Sequence, residues 1–256
     1  FLKSLIKQIA NSQIGIYLRN CLNINPVSIV LNKKFKSGST SDAFPWRTDN
    51  GYKTTFKYAD ILGLFYKIED SYVELTFYSQ DNKLIKKVVI SHLSYSNELL
   101  IDKEFLNGIE GYGVFYIFHQ SNNTLPKSLI ISNKCYVGFS IKESLSSFVH
   151  GNLYVKYQSF DGKFEGSDMV KSSFVKNVYR IQNSFAEFTK SELFFVNPTS
   201  KTIKFFIGSS RYSLKKHCSV LINISGEKNI SIKSKCLFLR PIIFNYKDDF
   251  FDVHHA

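Results

Sequence analysis

Tyr72-Val73-Glu74-Leu75-Thr76-Phe77-Tyr78, then Gln80-Asp81-Asn82-Lys83, then Leu84-Ile85-Lys86-Lys87-Val88-Val89-Ile90: this stretch decides the fold class. Two runs rich in β-branched and aromatic residues flank four polar ones, the pattern of a hairpin. Val73, Leu75 and Phe77 alternate with Tyr72, Glu74, Thr76 and Tyr78, so one face of the first strand is apolar and the other mixed.

The same pattern continues on the C-terminal side. Strands are expected at 112–119, 129–131, 136–141, 148–157, 174–181, 192–196, 203–207, 220–224 and 237–246, separated by short polar or Gly-containing turns. Short strands at such spacing imply sandwiches or barrels. The 24 Phe, 15 Tyr and single Trp fit this, because aromatic side chains suit a pleated, half-buried surface. The predicted class is all-β and mainly antiparallel, as tandem β-sandwich or jelly-roll-like modules with an N-terminal amphipathic helix.

That helix is read from Leu2, Leu5, Ile6, Ile9, Gln13, Ile16 and Tyr17, which recur at steps of three and four, with Lys3, Lys7 and Asn11 opposite. Its stripe is expected to pack on the sheets, although a basic amphipathic helix also suits a membrane surface. Residues 32–58 read as irregular, with a loop at 37–42 and a turn at Asp49-Asn50-Gly51. Three regions follow: 1–58, a helix and irregular segment on the sheets; 59–165, a first β-rich module; and 166–256, a second, with the break at Gly162, Gly166 and Ser167.

The second module reads as a duplicate of the first. Glu74, Leu75, Phe77, Lys83, Ile85 and Lys86 recur as Glu192, Leu193, Phe195, Lys201, Ile203 and Lys204. The expected unit is a strand, a polar turn and a second strand. A Val-His pair near the end of each half, Val149-His150 and Val253-His254, is a second echo.

Thirty-three Lys and Arg against 21 Asp and Glu give a formal charge of +12, which favours anionic partners. The basic residues are scattered apart from Lys33-Lys34-Lys36, Lys86-Lys87 and Lys215-Lys216-His217, which argues against a nucleic-acid surface. Cys21, Cys135, Cys218 and Cys236 are too sparse for a disulfide scaffold and wrongly spaced for zinc; free thiols and a reducing cytoplasm are expected, although the chain starts at Phe1 and would not show a removed signal peptide. No apolar run reaches the roughly 18 residues of a membrane-crossing helix. Phosphate loops and nucleophile elbows are also missing, and no cofactor or metal is expected.

Two places hold chemistry. The loop 41–49 carries Asp42, Trp46, Arg47 and Asp49: an Arg fork can grip a carboxylate or phosphate, and Trp can stack on a sugar. Along a strand, His150 would share a face with Phe148, Asn152 and Tyr154, and Asp252 with His254. The ligand-binding candidates are therefore Trp46, Arg47, Asp42, Asp49, Asn152 and Tyr154. The catalytic candidates are His150, His254 and Asp252. The favoured function is binding of a carbohydrate or another polar or anionic small molecule. The first rival is an enzyme of surface-glycan or small-molecule metabolism whose cleft joins the loop to those histidines. The second is an assembly subunit, a homo-oligomer joined by sheet edges and the helix.

Overall fold

The computed structural model describes residues 5–6, 9, 12–21, 37–123, 125–126, 129–132, 135–142, 144–161, 167–168, 177–181, 185–224, 230–236, 239–248 and 250–256, with backbone only at 13, 16, 19, 20, 152–154, 167–168, 177 and 179. The chain is all-β and mainly antiparallel. Among the described residues, the strands form four sheets.

Sheet I runs in the order β11 (Ser167–Asp168), β10 (Asn152–Ser159), β1 (Gly38–Arg47), β6 (Tyr112–Ser121), β3 (Ser71–Ser79) and β4 (Leu84–Ile90), with β7 (Ile130–Ser132) parallel to β1. Sheet II is β5 (Ser96–Ile101), β2 (Tyr52–Ala59), β8 (Tyr136–Ile141) and β9 (Ser147–His150). Sheet III is β16 (Ser219–Ile224), β13 (Lys190–Val196), β18 (Ile242–Lys247) and β19 (Phe250–His255). Sheet IV is β12 (Asn177–Ile181), β17 (Ile230–Ser234), β14 (Ile203–Ile207) and β15 (Ser210–Leu214).

The expected hairpin forms: β3 and β4 pair from Val73 opposite Ile90 to Tyr78 opposite Leu84. Its inward residues Val73, Leu75 and Phe77 are fully buried. Sheets I and II share one aromatic core, where the Phe44 and Phe56 rings lie 5.1 Å apart and Phe56 meets Phe115 edge-on at 4.8 Å. Such pairs add about 0.5–1.5 kcal/mol each beyond their buried area.

Sheet III explains why β13 reads as an unbroken apolar run. Phe194, Val196, Ile242 and Phe244 enter the core of sheets I and II, while Leu193, Phe195 and Ile243 face a second core with Phe205 and Ile232 of sheet IV. Both faces are buried, so alternation disappears. The first core thus draws on residues from both sides of the expected break at 165/166. That break falls where residues 162–166 lie outside the described ones.

Three expectations are corrected. The loop at 37–49 is instead β1, a ten-residue strand that is buried almost throughout. Its polar side chains take hydrogen bonds that a loop would have given to water: Ser41 Oγ accepts from Ile117 N–H at 2.9 Å, Ser39 Oγ accepts from His119 N–H at 3.0 Å, and Thr40 Oγ1 donates to Ile131 O at 3.0 Å. Residues 52–58, also read as irregular, belong to β2, paired on both edges, while 32–36 lie outside the described residues. The second copy of the hairpin does not form either. β13 pairs with β16 and β18, while β14 pairs with β15 and β17 in the other sheet, so this turn carries the chain between sheets rather than back along one. The pairing gives a duplication no support.

The third concerns the N-terminus. Helix α1 (Gln13–Cys21) begins at Ser12, whose Oγ accepts from Gly15 N–H at 3.1 Å as an N-cap. Of the expected stripe, Leu5, Ile6, Ile9 and Tyr17 are exposed and do not pack on the sheets. Leu2 and the side chains of Gln13 and Ile16 lie outside the described residues, and Ile14 and Leu18 of α1 are exposed as well. Helix α2 (Ile61–Tyr66) was not signalled by any apolar period. It is held by Asp60, whose carboxylate accepts from Gly63 N–H at 2.9 Å and Ser71 Oγ at 2.7 Å.

Candidate functional site

The residues expected to bind a ligand at 42–49 point inward. Trp46 is 1% exposed; its Nε1–H donates to Tyr78 O at 2.9 Å, and Gly113 lies against the indole. Asp42 lies in β1, where the strand leaves β10 and joins β6. Arg47, also 1% exposed, centres a buried polar cluster. Its Nε and Nη2 donate to the two oxygens of Asp49 at 3.0 and 2.7 Å, and Nη1 donates to Glu192 Oε2 at 2.7 Å. The guanidinium lies 4.1 Å over the Tyr52 ring and 4.8 Å from that of Phe244.

Glu192 also accepts from Tyr246 OH at 2.7 Å and from Lys190 Nζ at 2.6 Å, and the Tyr52 and Tyr246 hydroxyls hydrogen-bond to each other. Burial alone would raise the Glu192 pKa; the charge of Arg47 and hydrogen bonds from Lys190, Arg47 and Tyr246 outweigh it and lower the value. Burial pushes the Tyr52 hydroxyl up to about 12, so it stays protonated at neutral pH. The cluster joins β1 and β2 to β13 and β18. Its donors and acceptors satisfy one another, which makes it a fastening between sheets rather than a site for a ligand.

The histidine candidates lie elsewhere, where β19 runs beside β9. Val253 N–H donates to Ser147 Oγ at 3.0 Å, and His255 Nε2–H donates to His150 O at 2.8 Å. His254 Nδ1 and Asp252 Oδ2 are 2.8 Å apart at the surface. The exposed His150 packs on the Tyr136 ring at 4.3 Å, with Phe148 on the same outer face. The side chains of Asn152 and Tyr154 lie outside the described residues. Arg47 is enclosed while Asp252 and His254 face solvent, so the cleft that would unite them is not formed. No group of three or more His, Cys, Asp or Glu side chains suited to a metal occurs among the described residues.

A site that the sequence reading missed lies on the outer face of sheet I. Lys87, Thr76 and Tyr116 stand opposite one another across β4, β3 and β6, with Glu74 and Phe118 in the next row. Lys156 and Gln158 of β10 close one side; Lys156 Nζ lies 5.8 Å over the Tyr116 ring. Tyr78 meets Tyr116 edge-on at 5.9 Å. Glu74 accepts from Lys87 at 3.2 Å and from Gln158 Nε2 at 3.2 Å, which fixes both side chains at the rim.

The far wall comes from the other end of the chain. Ser219 N–H donates to Gln80 O at 2.9 Å, which holds the turn before β16 against the β3–β4 turn. His217, at φ 57°, is thereby placed beside Asn82. The result is a groove of about 390 Å3 lined by aromatic, cationic and amide side chains. A larger cleft of about 520 Å3 beside α2 is lined by Asp60, Lys67, Glu69 and Tyr95, but Asp60 is already committed as a helix cap. The signal for the groove was in the sequence: Tyr72, Glu74, Thr76 and Tyr78 form the polar-aromatic half of the β3 alternation, and Tyr116 and Phe118 repeat it on β6.

Compared with known proteins, the sequence matches no family model and resembles no curated protein. No helix among the described residues is long and apolar enough to cross a membrane.

Proposed function

We propose that this chain is a binding protein that takes a carbohydrate, in particular an acidic one, in the groove on sheet I. The observation that carries this reading is one concavity holding Tyr78, Tyr116 and Phe118 together with Lys87, Lys156, Gln158 and His217. Aromatic faces offer apolar surface to the C–H side of a sugar ring, amides bond its hydroxyls, and ammonium groups meet a carboxylate or sulfate. Lys87 and Lys156 give the groove two cationic side chains, in keeping with the chain's charge of +12. Sheet III, whose strands enter both the core of sheets I and II and that of sheet IV, brings the turn before β16 to one wall of the groove. Three buried free thiols fit a reducing compartment.

A glycan array probed with the native chain and with Lys87→Ala/Lys156→Ala tests this. Acidic glycans are expected to bind, and the double variant to bind about a hundredfold or more weakly, since each charged hydrogen bond is worth about 1.5–3 kcal/mol. No binding to any glycan, or equal binding by the variant, refutes the reading. The Asp252–His254 pair favours hydrolytic chemistry as a second reading; it requires turnover of a bound glycan that His254→Ala abolishes.

A further inference from the structure

We propose that the N-terminal segment docks the protein on an anionic lipid bilayer, by inserting an exposed apolar stripe among lipid headgroups while the basic residues of the same stretch of sequence neutralise them. Two independent observations support this. The first is exposure. Leu5, Ile6, Ile9, Ile14, Tyr17 and Leu18 are between 43% and 74% exposed, the densest run of exposed large apolar side chains among the described residues. Ile14, Tyr17, Leu18 and the exposed Cys21 recur at steps of three and four along α1, so they lie on one side of it. Single exposed apolar residues are ordinary; a whole helical stripe left in water marks an interaction surface.

The second observation selects the partner. Residues 1–36 contain Lys3, Lys7, Arg19, Lys33, Lys34 and Lys36 and no Asp or Glu; the first acid is Asp42. Half of the chain's net charge of +12 therefore lies in this segment. A second copy would bring the same positive segment to the contact and be repelled. A nucleic acid would satisfy the lysines but offers no apolar phase for the isoleucines. An anionic bilayer satisfies both, as interfacial helices with cationic flanks do. Ser12 Oγ donates to Ile9 O at 2.7 Å and accepts from Gly15 N–H at 3.1 Å, which ties Ile9 to the start of α1.

Co-sedimentation of the full chain with vesicles of phosphatidylcholine, with and without phosphatidylserine, tests the proposal. Binding is expected only where phosphatidylserine is present, weakening as salt rises. Lys3→Ala/Lys7→Ala should weaken it about 25-fold, from about 1 kcal/mol per basic residue. Ile14→Asp/Leu18→Asp should abolish it without changing the circular dichroism spectrum of the sheets. The groove variant Lys87→Ala/Lys156→Ala should bind vesicles as the native chain does, which separates this proposal from the glycan reading. No sedimentation with anionic vesicles overturns it, as does undiminished binding by Ile14→Asp/Leu18→Asp. Binding to RNA without binding to vesicles, or an apolar-dependent dimer that ignores vesicles, overturns it equally.

Discussion

Replacing Arg47 by Met keeps the aliphatic stem and removes the charge at the centre of the inter-sheet cluster. Arg47 makes two hydrogen bonds to Asp49 and one to Glu192 from a position 1% exposed. Without it, Glu192 keeps Lys190 and Tyr246, and Asp49 keeps Asn50 Nδ2 at 2.9 Å. Removing one partner of a buried ion pair costs about 3–5 kcal/mol, because the other charge stays desolvated. Asp49 and Glu192 retain 19% and 10% side-chain exposure, and Lys190 offers a replacement charge, so the lower end applies: about 3 kcal/mol. For a chain of this size that lowers Tm by about 6–12 °C. Urea unfolding followed by the fluorescence of the single Trp46, which sits beside Arg47 in β1, reads the loss directly. Combining Arg47→Met with Glu192→Gln should cost less than the two separate losses added together, with a coupling of at least about 1 kcal/mol. A single-variant loss below about 1 kcal/mol, or strict additivity, would show that the cluster does not join the sheets.

The remaining predictions concern pH, packing and thiols. Because the Glu192 pKa is lowered on folding, the unfolded chain takes up the proton first as pH falls; its contribution is full above the ordinary carboxylate value of 4.5 and is lost as pH drops through the folded value. The urea midpoint of the native chain should therefore fall further between neutral pH and acid than that of Glu192→Gln, and parallel declines would refute the assignment. Gly113→Ala puts a Cβ 2.0 Å from Tyr78 O and 2.8 Å from the Trp46 ring nitrogen, so it should destabilise by about 3 kcal/mol in the same assay, with altered Trp emission. Cys135, Cys218 and Cys236 are buried, and burial raises the pKa of each, that of Cys236 to about 12. Only the exposed Cys21 should react quickly with a disulfide reagent on the native chain, with the other three following on unfolding; fast reaction of all four would contradict the packing.

The hairpin at 71–90 was legible because its turn is polar, its strands alternate and its partners are adjacent in sequence. β1 was not, because Ser39, Thr40 and Ser41 have the composition of a loop. Their hydroxyls become acceptable in a sheet interior only through backbone groups of β6 and β7, which lie about 80–90 residues further along the chain and leave no local trace. The repeat of Glu-Leu-x-Phe at 74 and 192 was real as letters but not as pairing, since local alternation says that a strand exists and nothing about its neighbour. Arg47 between two carboxylates looked like a ligand fork. The sequence held half of the answer, its pairing with Asp49, whereas Glu192 and Tyr246 come from the far half of the chain. The groove was half legible in the same way: the polar-aromatic alternation of β3 and β6 stood in the sequence, whereas His217 reaches the groove through tertiary contact alone.

Amine labelling read by mass spectrometry, with and without an acidic oligosaccharide, tests the groove most directly. The ligand should shield Lys87 and Lys156 while Lys53 and Lys57, on the outer face of sheet II, react as before. Shielding of Lys53 and Lys57 instead, or no shielding at a concentration that saturates binding, would place the ligand elsewhere and contradict the account.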